Sequence, residues 1–235
     1  GPIASNGLTN DARPTFSSIA TTGIVVRVFD GSALLGTATE NPSSPATFTF
    51  TPGADLGNGQ HSLTAKAVDE VGNESAASPA AVFTVDVTAP KLIQVEVVKA
   101  SGSRTLDKLL LKFDSAVSLP AGAFAANGPL VVKLNGSVLN VASATAVTSA
   151  GVAANTQWEL AFTGLSSTGL AGSLGLRYTK AADGAASAWV TDQAGNQLDG
   201  AELGFVADGY IRGASIYLDR NFNGIADSNE LLPIK

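Results

Sequence analysis

Ala46-Thr47-Phe48-Thr49-Phe50-Thr51 and His61-Ser62-Leu63-Thr64-Ala65-Lys66-Ala67-Val68-Asp69 decide the fold. In both stretches apolar and polar residues alternate with a period of two, the mark of a half-buried β-strand. Phe48 and Phe50 share one face of the first. Leu63, Ala65 and Ala67 share one face of the second, and His61 has their parity at the rim. Leu56-Gly57-Asn58-Gly59 precedes the second stretch as a loop.

Working outward, the same pattern recurs. Gly23-Ile24-Val25-Val26-Arg27-Val28-Phe29-Asp30 ends at Asp30-Gly31, a hairpin turn signal, and the chain returns from Leu34 to Glu40. Val82-Phe83-Thr84-Val85 closes this first set of six or seven short strands. Past Pro90, strands are expected at Leu92–Val97, Lys108–Asp114, Gln157–Phe162, Gly175–Thr179 and Ala188–Asp192. Leu130–Leu134 and Ser137–Val141 flank Asn135-Gly136, a strong type I′ hairpin signal. Ala121–Phe124 reads as one helical turn, and the stretch from about Ala142 to Thr168 carries no assignable motif. Strands at this spacing, broken by 25 Gly and 10 Pro, give an all-β chain of two tandem Ig-like β-sandwich domains. The expected division is 1–88, 89–207, and a third segment, 208–235, holding a strand and a metal-binding loop. The pattern Asp-x-x-Gly-Asn occurs at Asp69–Asn73 and again at Asp192–Asn196, late in each sandwich.

Composition narrows the function. Charged residues are 14% and the net charge is −6, which argues against nucleic acid as a partner. Cysteine is absent, so no disulfide can staple the chain. No apolar run approaches the roughly 20 residues of a membrane span, so no membrane insertion is expected. Gly1-Pro2 reads as a protease-cleavage scar, and the chain is expected to be a piece of something longer.

The sequence argues against catalysis. His61 is the one histidine, so no His/Cys zinc site can form. No Gly-x-Ser-x-Gly elbow and no phosphate-binding Gly-x-x-x-x-Gly-Lys loop occurs. Glycoside hydrolysis needs a deep cleft with aromatic walls, and aromatics are only 6%. Trp158 and Trp189 lie isolated on strands and are expected to pack in the core.

The chemistry that the sequence does carry is calcium binding. Asp219-Arg220-Asn221-Phe222-Asn223-Gly224-Ile225-Ala226-Asp227-Ser228-Asn229-Glu230 places oxygen donors at alternate positions. Asp219, Asn221 and Asn223 stand at positions 1, 3 and 5. Gly224 permits the sharp turn at position 6, and Ile225 offers a backbone carbonyl. Asp227 stands at position 9 and Glu230 can bind through both oxygens at position 12. Two Asp positions hold Asn, so the expected affinity is weak, about 10⁻⁴–10⁻³ M. A second cation is expected at the domain junction, where Asp30, Asp69, Asn73 and Asp86 stand at strand ends. The competing reading is that each of them caps a turn. Asp192, Asn196 and Asp199 form a weaker candidate.

These residues carry a resemblance. The first unit resembles the bacterial Ig-like repeats of large adhesins and biofilm proteins. The likeness rests on Asn10–Phe16, on Asp30-Gly31 with Leu35-Gly36-Thr37-Ala38, on Gly59–Ala65 with Ala67-Val68-Asp69, and on Phe83–Pro90. It implies calcium between domains, with Asp69 and Asp86 as the first junction ligands. The second unit is similar to a longer bacterial Ig-like type, through Leu109–Asp114 and Val190–Asn196. The loop at 219–230 resembles the calcium repeats of thrombospondin type 3. The resemblance implies a monomeric, calcium-rigidified extender of a bacterial cell-surface or secreted adhesin. Its partners would be neighbouring Ig-like repeats and a host or biofilm glycan or protein. Two alternatives stand beside it: an accessory module pair of a secreted polysaccharide-active enzyme, and the ligand-binding tip of an adhesin.

Overall fold

The computed structural model describes residues 3, 6–98, 108–124, 128–134, 137–163, 172–179, 189–199, 202–207 and 218–219. The chain divides into two compact units, Gly1–Thr88 and Ala89–Lys235. Both are built of strands.

Unit 1 contains β1 (Gly7–Thr9), β2 (Phe16–Ile19), β3 (Val25–Asp30), β4 (Ala33–Glu40), β5 (Thr47–Phe50), β6 (Gly59–Val68) and β7 (Ala81–Val85). They hydrogen-bond in the order β1-β7-β6-β3-β4-β5-β2. β4 belongs to both faces: Ala33–Ala38 pairs with β3, while Thr39 and Glu40 pair with β5. Between Val28 and Phe29 the register with β4 shifts, an irregularity that bends the strand pair beside Gly36, at φ 153°. A Cβ on Gly36 would sit 3.1 Å from the Phe50 ring, so bend and packing both call for glycine. The alternation in β5 is realised and that in β6 in part: Phe48, Phe50 and Leu63 are buried with Val26, Val28, Phe83 and Val85, Ala65 packs half-buried against them, and at the end of β6 it is Val68 rather than Ala67 that is buried. β1 pairs parallel to β7, an arrangement without a period-two signal in its three residues.

Unit 2 contains β8 (Leu92–Val98), β9 (Lys108–Phe113), β10 (Val117–Ser118), β11 (Leu130–Leu134), β12 (Ser137–Val138), β13 (Asn140–Ala146), β14 (Gln157–Thr163), β15 (Gly172–Tyr178), β16 (Thr191–Asp192), β17 (Glu202–Ala207) and β18 (Leu218–Asp219). A four-stranded sheet runs β13-β14-β9-β8 and a five-stranded one β12-β11-β15-β17-β18, with β10 and β16 as a short separate pair. Leu109, Leu111, Phe113 and Leu160 come from the first sheet, and Leu130, Val132, Leu176 and Tyr178 from the second. They meet in one core that Val117, Leu119, Ala123, Val190 and Leu198 complete.

Leu134 pairs with Ser137, as a two-residue hairpin requires, although Asn135-Gly136 lie outside the described residues. Ala121–Phe124 is a 3₁₀ turn. The stretch without a motif supplies most of β13 and all of β14. Leu218 and Asp219 pair with Phe205 and Gly204, so β18 joins the sheet of unit 2.

Candidate functional site

The expected calcium loop begins where β18 ends. The backbone of Asp219 pairs with Gly204 at the sheet edge. Asn221, Asn223, Ile225, Asp227 and Glu230 lie outside the described residues. The donor set is all oxygen, with three carboxylates, and that is the chemistry a hard divalent cation takes.

The acidic residues of unit 1 fall into two places, and strand register is the reason. Asp30 ends β3 opposite Leu63, whereas Asp69 follows Val68 at the other end of β6. Six residues of strand separate those positions, about 20 Å. Asp86 follows Val85, which pairs with Gly59, so it stands at the Asp30 end. The expected convergence of Asp30, Asp69, Asn73 and Asp86 is therefore corrected: Asp69 and Asn73 share one end of the sandwich, Asp30 and Asp86 the other. Among the described residues, no three His, Cys, Asp or Glu side chains gather as a metal cluster.

Each of these carboxylates closes local structure. Asp69 Oδ1 accepts from the amides of Val71 at 3.0 Å and Asn73 at 2.8 Å, and Oδ2 accepts from Asn73 Nδ2 at 2.9 Å. Gly72 takes φ 93° to complete the turn. The bonds from Asn73, side chain first, hold the Asp69 carboxyl below its usual pKa. Asp192 closes a turn of the same hydrogen-bond pattern in unit 2: Oδ1 accepts from the Asn196 amide and Oδ2 from Asn196 Nδ2, both at 2.9 Å, with Gly195 also at φ 93°. The repeated Asp-x-x-Gly-Asn is thus one turn used twice.

Asp30 is held by His61. Its Oδ2 lies 2.7 Å from His61 Nδ1, and its Oδ1 accepts from the Ser62 amide at 2.9 Å. His61 Nε2 lies 2.8 Å from the Gly57 carbonyl, and the ring stacks on Phe83. Burial works against charge on both partners. Burial is the largest single influence, but the mutual bond and attraction, together with the Ser62 amide on Asp30 and the Gly57 carbonyl on His61, outweigh it, raising His61 and lowering Asp30. Both ring nitrogens are engaged, so His61 is not placed to act as a base on a nucleophile.

Next to Gly57, Asn58 grips the end of the unit. Its Oδ1 accepts from the Val87 amide at 2.9 Å, and its Nδ2 donates to Thr88 Oγ1. Asp86 Oδ1 accepts from the Thr88 amide at 3.0 Å. In unit 2, Pro90 O accepts from the Asp199 amide at 3.0 Å, and Asp114 Oδ1 accepts from the Lys91 amide at 2.8 Å. Sequence reasoning missed Asn58 because a lone Asn in a Gly-rich loop reads as turn chemistry alone. Trp158 packs against the unit 2 core as expected and donates Nε1 to Asn155 O at 3.1 Å.

Residues 1–87 match the family model of the bacterial Ig-like domain. No curated protein matches the chain. The protein is all-β, and its first unit is similar to the bacterial Ig-like domain, a class of surface or extracellular structural module that is typically non-catalytic. Among the described residues no helix is long and apolar enough to cross a membrane.

Proposed function

We propose that this chain is a structural extender segment of a large bacterial surface or secreted adhesin, stiffened by calcium. The observation that carries the reading is the short connection between two separately anchored chain ends. Asn58 and Asp86 hold the backbone of unit 1 as far as Thr88, and Asp199 and Asp114 hold that of unit 2 from Pro90. Ala89 alone lies between the two sets of bonds. Pro90 further restricts Ala89 to extended geometry. A connection with so few free dihedrals suits a spacer that must transmit position along an array. The bacterial Ig-like match of unit 1 supports the same reading.

Calcium is assigned to Asp219–Glu230 on the strength of its oxygen-donor spacing, and Asp86 is retained as the junction carboxylate. Calcium abundant outside the cell and scarce within would couple stiffening to export.

Calorimetric titration of EDTA-stripped protein with calcium, with thermal melts alongside, tests the reading. Heat and a rise in melting temperature that both vanish in Asp219→Ala/Glu230→Ala assign the loop. Heat that remains in that variant and falls in Asp86→Ala assigns the junction. No heat and no shift at ~10 mM calcium, above the weak extracellular range, removes calcium and leaves a plain spacer.

A further inference from the structure

One end of unit 2 carries a small open cleft of about 180 Å³ that the spacer reading does not use. Trp158 forms one wall. Val117 and Ser118 of β10, Asn155, and Asp192 with Gln193 form the rest. The tryptophan is fixed in place. Its Nε1 donates to Asn155 O, and the same carbonyl accepts from the Val117 amide at 2.9 Å. Asn155 can offer its carbonyl to both because it sits in the left-handed region at φ 57°, which Asn tolerates. The indole therefore needs no ordering when something docks beside it.

The polar groups around it are uncommitted. The hydroxyl of Ser118 and the side-chain amides of Asn155 and Gln193 make no hydrogen bond with the described protein. Asp192 accepts one bond from Asn196 at each carboxylate oxygen, which leaves each with a lone pair. The cleft thus combines an aromatic wall, two amides that both donate and accept, a hydroxyl, and a carboxylate that accepts. Among the described residues it holds no Lys or Arg.

We propose that this cleft binds a single neutral pyranose ring, the terminal sugar of a glycan. A sugar offers an apolar C–H face for an indole and neighbouring hydroxyls that each donate and accept. Amides and carboxylates pair with such hydroxyls two at a time. The volume lies below the range of drug-sized pockets, so it takes one ring, and the open side lets the rest of the glycan leave into solvent. The carboxylate of Asp192, with no Lys or Arg among the described residues of the cleft, selects against uronic and sialic acids. The proposal goes beyond the spacer reading and does not depend on calcium.

The test uses the full chain labelled with 5-fluorotryptophan, whose two ¹⁹F resonances separate Trp158 from Trp189. It is titrated in EDTA with glucose, galactose, mannose, fucose and N-acetylglucosamine, with glucuronate as the anionic control. The expected result is a saturable shift of the Trp158 resonance by at least one neutral sugar, with a Kd near ~1–10 mM, and a weaker response to glucuronate. Gln193→Ala and Ser118→Ala sit at exposed positions and leave the core intact. Each should weaken binding about three- to tenfold, the value of one hydrogen bond. Three outcomes overturn the proposal: no movement of the Trp158 resonance at ~50 mM of any sugar, well past that Kd range; binding unchanged in both variants; or a response that appears only when calcium replaces EDTA.

Discussion

His61 Nδ1 and Asp30 Oδ2 lie 2.7 Å apart, and the opposite ring nitrogen of His61 lies 2.8 Å from the Gly57 carbonyl. A neutral imidazole has one N–H and can satisfy one of these acceptors, whereas an imidazolium satisfies both. His61 has a raised pKa, so its contribution is complete below about 6.5, its ordinary value, and is lost as pH rises through the folded value. Asp30 has a lowered pKa, so its contribution is present above 3.8 and is lost as pH falls through the folded value. The pair therefore stabilises unit 1 across mildly acidic pH. His61→Ala should destabilise that unit by about 2 kcal/mol near pH 6 and by less at pH 9. Urea melts of wild type and variant at the two pH values check this. An equal loss at both would show that protonation of the ring adds nothing and that the stack on Phe83 with the one bond of the neutral ring carries its contribution.

The two Asp-x-x-Gly-Asn turns offer a paired experiment. Asp69→Ala removes the acceptor for the Val71 and Asn73 amides, and Asp192→Ala removes the acceptor for Asn196. Hydrogen exchange should rise at Val71 and Asn73 in the first variant and at Asn196 in the second, each confined to its own turn. The second should also lower stability by about 1–2 kcal/mol, because Asp192 is half-buried and its loss orphans two donors. Exchange that stays unchanged in both would show that Gly72 and Gly195 set the turns without the carboxylates.

Gly36 gives a steric prediction. Alanine there meets the Phe50 ring and must adopt φ 153°, which side chains resist. Gly36→Ala should destabilise unit 1 by about 1–3 kcal/mol. Gly53→Ala is the control: nothing lies within 4 Å of an added Cβ, so its effect should stay within about 0.5 kcal/mol. Thermal melts of the two variants should move apart by that margin.

Much of this fold was legible because period-two alternation is a local property. Phe48 and Phe50 point inward because they sit two residues apart on a pleated strand, and no distant information is needed to place them. The parallel pairing of Gly7–Thr9 with Phe83–Val85 was not legible, since a three-residue edge strand draws its position from its partner. The same distinction governs the candidate site. Asp69 and Asp86 each look like ligands at a strand end, but which end is set by the register of β6 against β3 and β7. Strand direction is a tertiary fact. Asp192 and Asn196 carried the turn in their spacing, whereas the cleft beside Trp158 depends on Val117 pairing with Asp192 across 75 residues of chain.

The hold of Asn58 on the exit segment gives the last prediction. Asn58 accepts from the Val87 amide and donates to Thr88 Oγ1, while the fold of unit 1 is sustained elsewhere, by the cluster around Phe48, Phe83 and Val85. Asn58→Ala should therefore leave the melting temperature of unit 1 nearly unchanged and raise local opening of residues 87–89. Loss of one net hydrogen bond, about 1 kcal/mol, corresponds to about fivefold more frequent opening. Elastase, which cuts after small aliphatic residues but not before proline, reports that opening as a faster cleavage after Val87. A fivefold rise at constant melting temperature would identify Asn58 as the residue that keeps the connection short. An unchanged cleavage rate would mean that Asp86 and Thr88 hold the exit by themselves.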